Sequence, residues 1–256
     1  MSQQQLTFTA LQGIPLVHPG DDLTAIILEG LRTESLSLRD GDVFVVGQKI
    51  VSKAEGRFVD LKQIHPSLEA EALAEETGKD PCLVELILRE SAAVLRKREN
   101  LIIVEHKLGF VCANAGIDRS NVENEEEGEW VLLLPEDPEM SARKLRDGLC
   151  AASGAEVGVL INDSHGRSWR LGTVGVCIGV AGFPAVVDLR GHKDLFGYAL
   201  QSTVIGLADE VSAGASALMG QADEKQPVIH VRGLLYPLRE GSLSEIIREK
   251  ELDLFR

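Results

Sequence analysis

The chain has 256 residues, 44% of them hydrophobic, which suits one large domain or two modest ones with a substantial core. Its 40 acidic residues outnumber 26 lysines and arginines, and the formal charge of −14 weighs against general binding to nucleic acid or anionic membranes. Anionic small ligands stay open, provided that a site gathers local positive potential from metal ions and a few basic side chains.

The start, Met1-Ser2-Gln3-Gln4-Gln5, has neither the basic region nor the apolar stretch of a signal peptide. The longest uncharged apolar run, Val174 to Val187, contains three glycines and Pro184 and is too short to span a bilayer. Four scattered cysteines (Cys82, Cys112, Cys150, Cys177) form no C-x-x-C pair and read as reduced thiols of a cytoplasmic protein.

In chain order, a strand is predicted at about Leu6 to Leu11. A helix follows Gly20, capped by Asp21 or Asp22, with Leu23, Ile26, Ile27 and Leu31 at helical spacing. The turn Asp40-Gly41-Asp42 feeds a strand at Val43 to Val46, which leads into the run Gly47 to Arg57. Pro66 suits the first position of the next helix and Gly78 its stop. Asp80-Pro81 opens another helix, expected to run to about Arg98 with Val84, Ile87, Leu88, Ser91, Val94 and Leu95 as its buried stripe. Strands are expected near Leu101 to Glu105, Leu108 to Cys112 and Val131 to Leu134, and Asp137-Pro138 starts a helix that stops at Gly154. Further strands are expected at Val157 to Ile161, Val174 to Val180 and Val228 to Val231, with a helix through Val204 to Met219 and a short one after Ser242. Asn121 to Glu129, with five glutamates, reads as a solvated loop. Strands and helices do not alternate strictly, so the expected class is α+β, with mixed sheets and packed helices. Residues 1–256 form one domain in this reading, and the sequence does not place the boundaries of any smaller insert.

Standard nucleotide loops are missing: the chain has no G-x-x-x-x-G-K-[ST] and no G-x-G. The six histidines show no H-x-x-x-H spacing, and G-x-S-x-G is absent, so zinc and nucleophile-elbow chemistry are not indicated. What remains is two segments, Asn114 to Asn121 and Asn162 to Arg167, each placing an Asp beside small polar residues and an Arg after an apolar run. Carboxylates of Asp118 and Asp163, the Ser164 hydroxyl and the Asn121 amide oxygen make an all-oxygen donor set suited to Mg2+ or Mn2+ carrying a polyphosphate. The same residue types also serve as turn and cap residues, and that alternative stays open for either segment alone. Lys53 and Arg57 follow one strand, while Arg119, Arg167 and Arg170 accompany the acidic segments as phosphate-neutralising candidates. His165 is an acid/base candidate or an incidental loop residue. Gly172, Gly175, Gly179 and Gly182 permit either ligand approach or close packing.

Several runs together resemble the coenzyme F420-0:L-glutamate ligase family. They include Gly13 to Leu16, Pro19 to Leu23, Gln48 to Arg57, Asn114 to Val122, Leu133 to Pro138, Asp163 to Arg167, Ile178 to Gly182, Asp188 to Gly191, Asp194 to Gly197 and Met219-Gly220, in order from about residue 10 to residue 235. The resemblance implies a homodimeric ligase of unusual α+β fold, working with GTP, Mg2+ or Mn2+, and K+. It adds L-glutamate by γ-linked amide bonds to the deazaflavin F420-0. It further implies GTP contacts at Ile14, Pro15, Leu16, Val17, Gln48, Lys49, Lys53 and Asn121, and metal ligands at Asp118, Asp163 and Ser164. Gln221, in a loosely similar stretch, is implied to reach both metal and nucleotide. The family commonly has Asp-Thr where this chain has Asp163-Ser164, which keeps the hydroxyl. Some bacterial relatives carry a nitroreductase-like domain after this region, and none is expected here.

The expected chemistry activates the acceptor carboxylate as an acyl phosphate, which the glutamate amine then attacks. Lys53 and Arg167 are the candidates for stabilising developing negative charge. Two rival readings stand beside it: an amide ligase for a different carboxylate acceptor, and a metal-nucleotide binding subunit without turnover.

Overall fold

A computed structural model describes residues 5–122 and 127–254. The elements run β1 (Thr7–Ala10), α1 (Leu23–Thr33), β2 (Asp42–Gly47), α2 (Gln48–Ala54), β3 (Phe58–Asp60), α3 (Leu68–Thr77), α4 (Pro81–Arg89), β4 (Ser91–Arg98), β5 (Leu101–His106) and β6 (Val111–Ala113). They continue with β7 (Trp130–Leu132), α5 (Pro138–Ser153), β8 (Val157–Gly166), β9 (Thr173–Ala181), β10 (Val187–Asp188), β11 (Val204–Ile205), α6 (Leu207–Met219) and β12 (Val228–Arg232). The architecture is α+β: a five-stranded mixed sheet in the order β1-β12-β2-β8-β9, a three-stranded sheet β4-β5-β6, and two short pairs, β3-β7 and β10-β11.

In the large sheet β2 and β8 run parallel, and the other neighbours run antiparallel. Strand β2 reads Asp-Val-Phe-Val-Val-Gly because it is covered on both faces. Phe44 and Val46 face α1 and α5, packing with Leu23, Ile27, Leu145 and Leu149, whereas Val43 and Val45 face α6 through Leu207, Val211 and Ala215. A third apolar cluster lies between α2 and α5 in the chain. There Leu73 and Ala74 of α3 and Val84 and Ile87 of α4 pack on Ile102 and Val104 of β5.

Helix ends follow the local chemistry expected of them. Asp22, Asp80 and Asp137 each accept backbone N–H bonds as caps, and Gly78 and Gly154 take left-handed conformations at the two stops. Helix α3 starts after the Ser67 cap, one residue beyond Pro66.

Two expectations are corrected. The helix begun at Pro81 ends at Arg89, and Ser91–Arg98 is strand β4 rather than more helix. Val94 is exposed there, and β5 supplies the hydrogen-bonding edge that decides the conformation. Strand β8 does not stop at Ile161; after a bulge at Ile161/Asn162 it continues to Gly166, paired with β9 through Thr173. Asp163 and Ser164 therefore sit within a strand. The glutamate-rich loop falls partly on residues 123–126, outside the described residues.

At the far edge of β2, Asp42 is buried and pairs with Arg232 (2.7 and 2.6 Å), with His230 Nε2 3.0 Å away. Burial pushes the Asp42 carboxyl up, but Arg232, His230 and the Arg39 N–H outweigh it and hold it well below the usual carboxylate range.

Candidate functional site

Asp118 is presented by an unusual piece of backbone. Asn114, Ala115 and Gly116 all have positive φ (50, 53 and 66°), and Asn114 Oδ1 accepts from Ile102 N at 3.2 Å, holding the turn. A Cβ at Gly116 would stand 2.7 Å from Leu134 Cδ1, so the close approach requires glycine. Reciprocal backbone bonds between Asp118 and Leu132 (2.9 and 3.0 Å) then fix the residue.

The carboxylate of Asp118 meets the start of α2. Gln48 Nε2 donates to Asp118 Oδ2 at 2.6 Å, and Gln48 Oε1 in turn accepts from the buried Ser52 hydroxyl at 3.0 Å, which fixes the amide's orientation. Lys49 Nζ lies 3.3 Å from Asp118 Oδ1 and donates to the Ser120 carbonyl at 3.1 Å. Lys53 stands one helical turn further along α2, on the face that carries Lys49. The Ile14-to-Val17 stretch precedes α1, with Val17 in the core and Leu16 exposed. Just beyond it, Gly20 N donates to Ala54 O at 2.8 Å, so this loop is tied to the end of α2.

Asp163 comes from β8. Its carboxylate accepts from Ser164 N at 2.7 Å and lies 2.9 Å from His165 Nε2. The field of Asp163 reaches both Asp118 and the buried Cys112 of β6, whose thiol is pushed up to about 12 by burial and then by that charge. Burial raises the Asp118 carboxyl; Lys49 opposes the rise and Asp163 adds to it. Burial also pushes Asp163 upward, but the bond and charge of His165, the Ser164 N–H and Lys49 together bring it below its ordinary value. Two coupled carboxylates are thus held against one lysine and one histidine.

Asn121, with φ 55°, donates from Nδ2 to Ala222 O at 2.9 Å, linking the Asp118 segment to the stretch after α6. Gln221 is exposed there and its amide donates to Ser216 Oγ at 3.3 Å. Arg167 is exposed at the far end of the β8 segment and donates to Gly172 O at 3.1 Å. Four residues of strand, about 13 Å, separate it from Asp163. Arg119 reaches toward Asp80 at 3.9 Å.

The structure therefore gathers Gln48, Lys49, Asp118 and Asp163, joins Asn121 to the Gln221–Ala222 segment, and leaves Arg167 apart. For Gly175 and Gly179 it favours close packing: a Cβ would stand 2.6 Å from Ser212 O of α6 at the first and 2.5 Å from Pro138 O of α5 at the second. Sequence reasoning missed the pairing of His165 with Asp163. The usable signal was spacing, since residues i and i+2 share a face once β8 is extended beyond Ile161.

By type, the carboxylates of Asp118 and Asp163, the Ser164 hydroxyl and the Asn121 amide oxygen are hard-oxygen donors. Among the described residues no cluster of three or more His, Cys, Asp or Glu suits a metal. A cation here would complete its shell with water and ligand oxygens, as Mg2+ commonly does on phosphate substrates.

Residues 13–233 match the family model described as F420-0:Gamma-glutamyl ligase. The chain is 45% identical over 255 residues to a coenzyme F420:L-glutamate ligase of Methanothermobacter thermautotrophicus, covering 98% of this chain and 99% of that protein. It is 45% identical to the protein of the same name from Methanopyrus kandleri, covering 96% and 97%, and 44% identical to that from Archaeoglobus fulgidus, covering 96% and 94%.

Proposed function

The chain belongs to the F420-0:gamma-glutamyl ligase family, and from that membership we propose that it joins L-glutamate to F420-0 at the expense of GTP. The observation that supports a phosphate-activating site is the contact of Asp118 with Gln48 and Lys49 at the start of α2, with Asp163 on the neighbouring strand where Gly47 pairs with Asn162.

In this reading the terminal carboxylate oxygen of the acceptor attacks the γ-phosphorus of GTP. The bond from that phosphorus to the β-bridging oxygen breaks, and GDP leaves. The neutral α-amine of glutamate next attacks the acyl carbon; the carbon–oxygen bond to phosphate breaks, and inorganic phosphate and one proton are released. Lys49, already beside Asp118, and Lys53 one turn further on place positive charge near the transferred group. Gln48 orients Asp118, and His165 with the Ser164 N–H keeps Asp163 ionised. Mg2+ or Mn2+ held by Asp118, Asp163 and Ser164 would supply charge neutralisation and in-line orientation of the phosphates.

The test is incubation of the purified protein with F420-0, labelled L-glutamate and GTP. Label in the deazaflavin product, with one GDP formed per amide bond, is expected. GTP consumption that needs a different acceptor, or tight GTP binding without turnover, contradicts the proposal.

We also propose a homodimer. Leu195, Phe196 and Tyr198, between β10 and β11, are exposed large apolar side chains, as are Trp169 and Leu171 at the β8–β9 turn, and a second copy of the chain would cover such surface. Light scattering should give twice the chain mass, and a monomer at micromolar concentration contradicts it.

A further inference from the structure

On the other side of His165 from Asp163 lies a cavity of about 230 Å³ that the steps above leave without an occupant. Its floor includes Val176 of β9, the cross-strand partner of Asp163, so floor and carboxylate share one face of the sheet. His165 forms the common wall: its Nε2 lies 2.9 Å from Asp163, and its ring is tilted against Phe110 with centroids 5.3 Å apart. The roof is the segment carrying Ile246 and Ile247, fastened by Leu243 N to Glu139 Oε1 at 2.8 Å and by Lys250 to Glu105 at 2.6 Å.

Groups of opposite charge face this space. Asp209, in the first turn of α6, accepts from Cys177 N at 2.9 Å through Oδ1. Burial pushes its carboxyl up against the pull of that N–H and of His165, the condition of an acid short of positive partners. Arg248 lines the other side, exposed and without an ion pair among the described residues, and Asp253 stands at the rim.

Size decides which substrate fits. Pockets for drug-sized ligands occupy about 300–1,000 Å³, and this smaller cavity matches a single amino acid better than a tricyclic deazaflavin with its tail. Resting on the ligase reading above, we propose that this cavity binds the incoming L-glutamate. Arg248 pairs with a carboxylate, Asp209 holds the α-ammonium end, and the apolar walls cover the methylenes. The amine then enters from the His165 side, beside the position where the activated acceptor is held.

Steady-state kinetics on the full chain test this, with glutamate, GTP and F420-0 varied in turn. Arg248→Ala should raise the KM for glutamate about tenfold or more, leaving the KM for GTP within about twofold, and Arg248→Lys should recover part of the loss. Asp209→Asn, which keeps an oxygen for the Cys177 N–H, should raise the glutamate KM as well. An active wild type whose glutamate KM is unmoved in Arg248→Ala and Asp209→Asn overturns the cavity assignment alone. Equal rises in the GTP and glutamate KM values also overturn it. A wild type that transfers no glutamate overturns the ligase reading instead.

Discussion

Asp163→Asn and Asp118→Asn should each lower the turnover of glutamate transfer by roughly a hundredfold or more, the loss expected when a charged ligand to a phosphate-bridging cation is neutralised. The two variants differ in what they do to the folded protein. Asp118 is half-buried; desolvation raises its carboxyl and the charge of Asp163 adds to the cost of ionising it, so neutralising Asp118 relieves a repulsion. Its Tm should equal or exceed that of the wild type. Asp163 is stabilised in its charged form by His165, the Ser164 N–H and Lys49, so its neutral variant gives up some of that pairing while keeping its shape. A modest fall in Tm is expected there, with a native circular dichroism spectrum. Activity and melting curves on the same preparations decide the matter; either variant turning over at the wild-type rate excludes that carboxylate from the reacting centre.

Removing divalent cations should have an effect as large. A triphosphate brought to Asp118 and Asp163 adds several negative charges to a chain whose acids already outnumber its basic residues by 40 to 26. Lys49 and Lys53 cannot balance two carboxylates and three phosphate groups at contact distance. Treatment with a chelator followed by gel filtration should reduce turnover at least a hundredfold, and Mg2+ or Mn2+ should restore it. Full activity in the metal-free protein would mean that Lys49 and its neighbours suffice.

Much of the architecture was legible because it is written locally. Asp22, Asp80 and Asp137 cap helices, and Gly78 and Gly154 end them, through bonds that span only a few residues. The α+β class follows from the same signals. Failures occurred where distant partners decide. Ser91–Arg98 carries good helix formers but becomes β4 because β5 lies alongside, and β8 is lengthened by pairing with β9. For the same reason His165 looked incidental: its relation to Asp163 exists only once both lie on one strand face. Helix α2 was hidden in a seven-residue span directly after a strand, so Gln48 and Lys49 could be named from family resemblance but not placed by periodicity.

The long-range part of the site is of the same kind. Gln48 and Asp118 lie 70 positions apart in the chain, and no local pattern announces that an amide of one will orient a carboxylate of the other. The acidic segments were visible as composition, and what the fold adds is their convergence. It also sets Arg167 on an exposed turn, where sequence proximity to Asp163 had made it a candidate.

The central claim is that Asp118 and Asp163 together hold a cation that grips the phosphates of GTP. The most direct measurement is titration of Mn2+ by electron paramagnetic resonance, with GTP present, in the wild type and in the Asp118→Asn/Asp163→Asn double variant. Wild-type protein should quench the free-ion signal at stoichiometric amounts beyond what Mn2+-GTP alone accounts for, and the double variant should match the protein-free control. Equal quenching by both proteins would contradict the account.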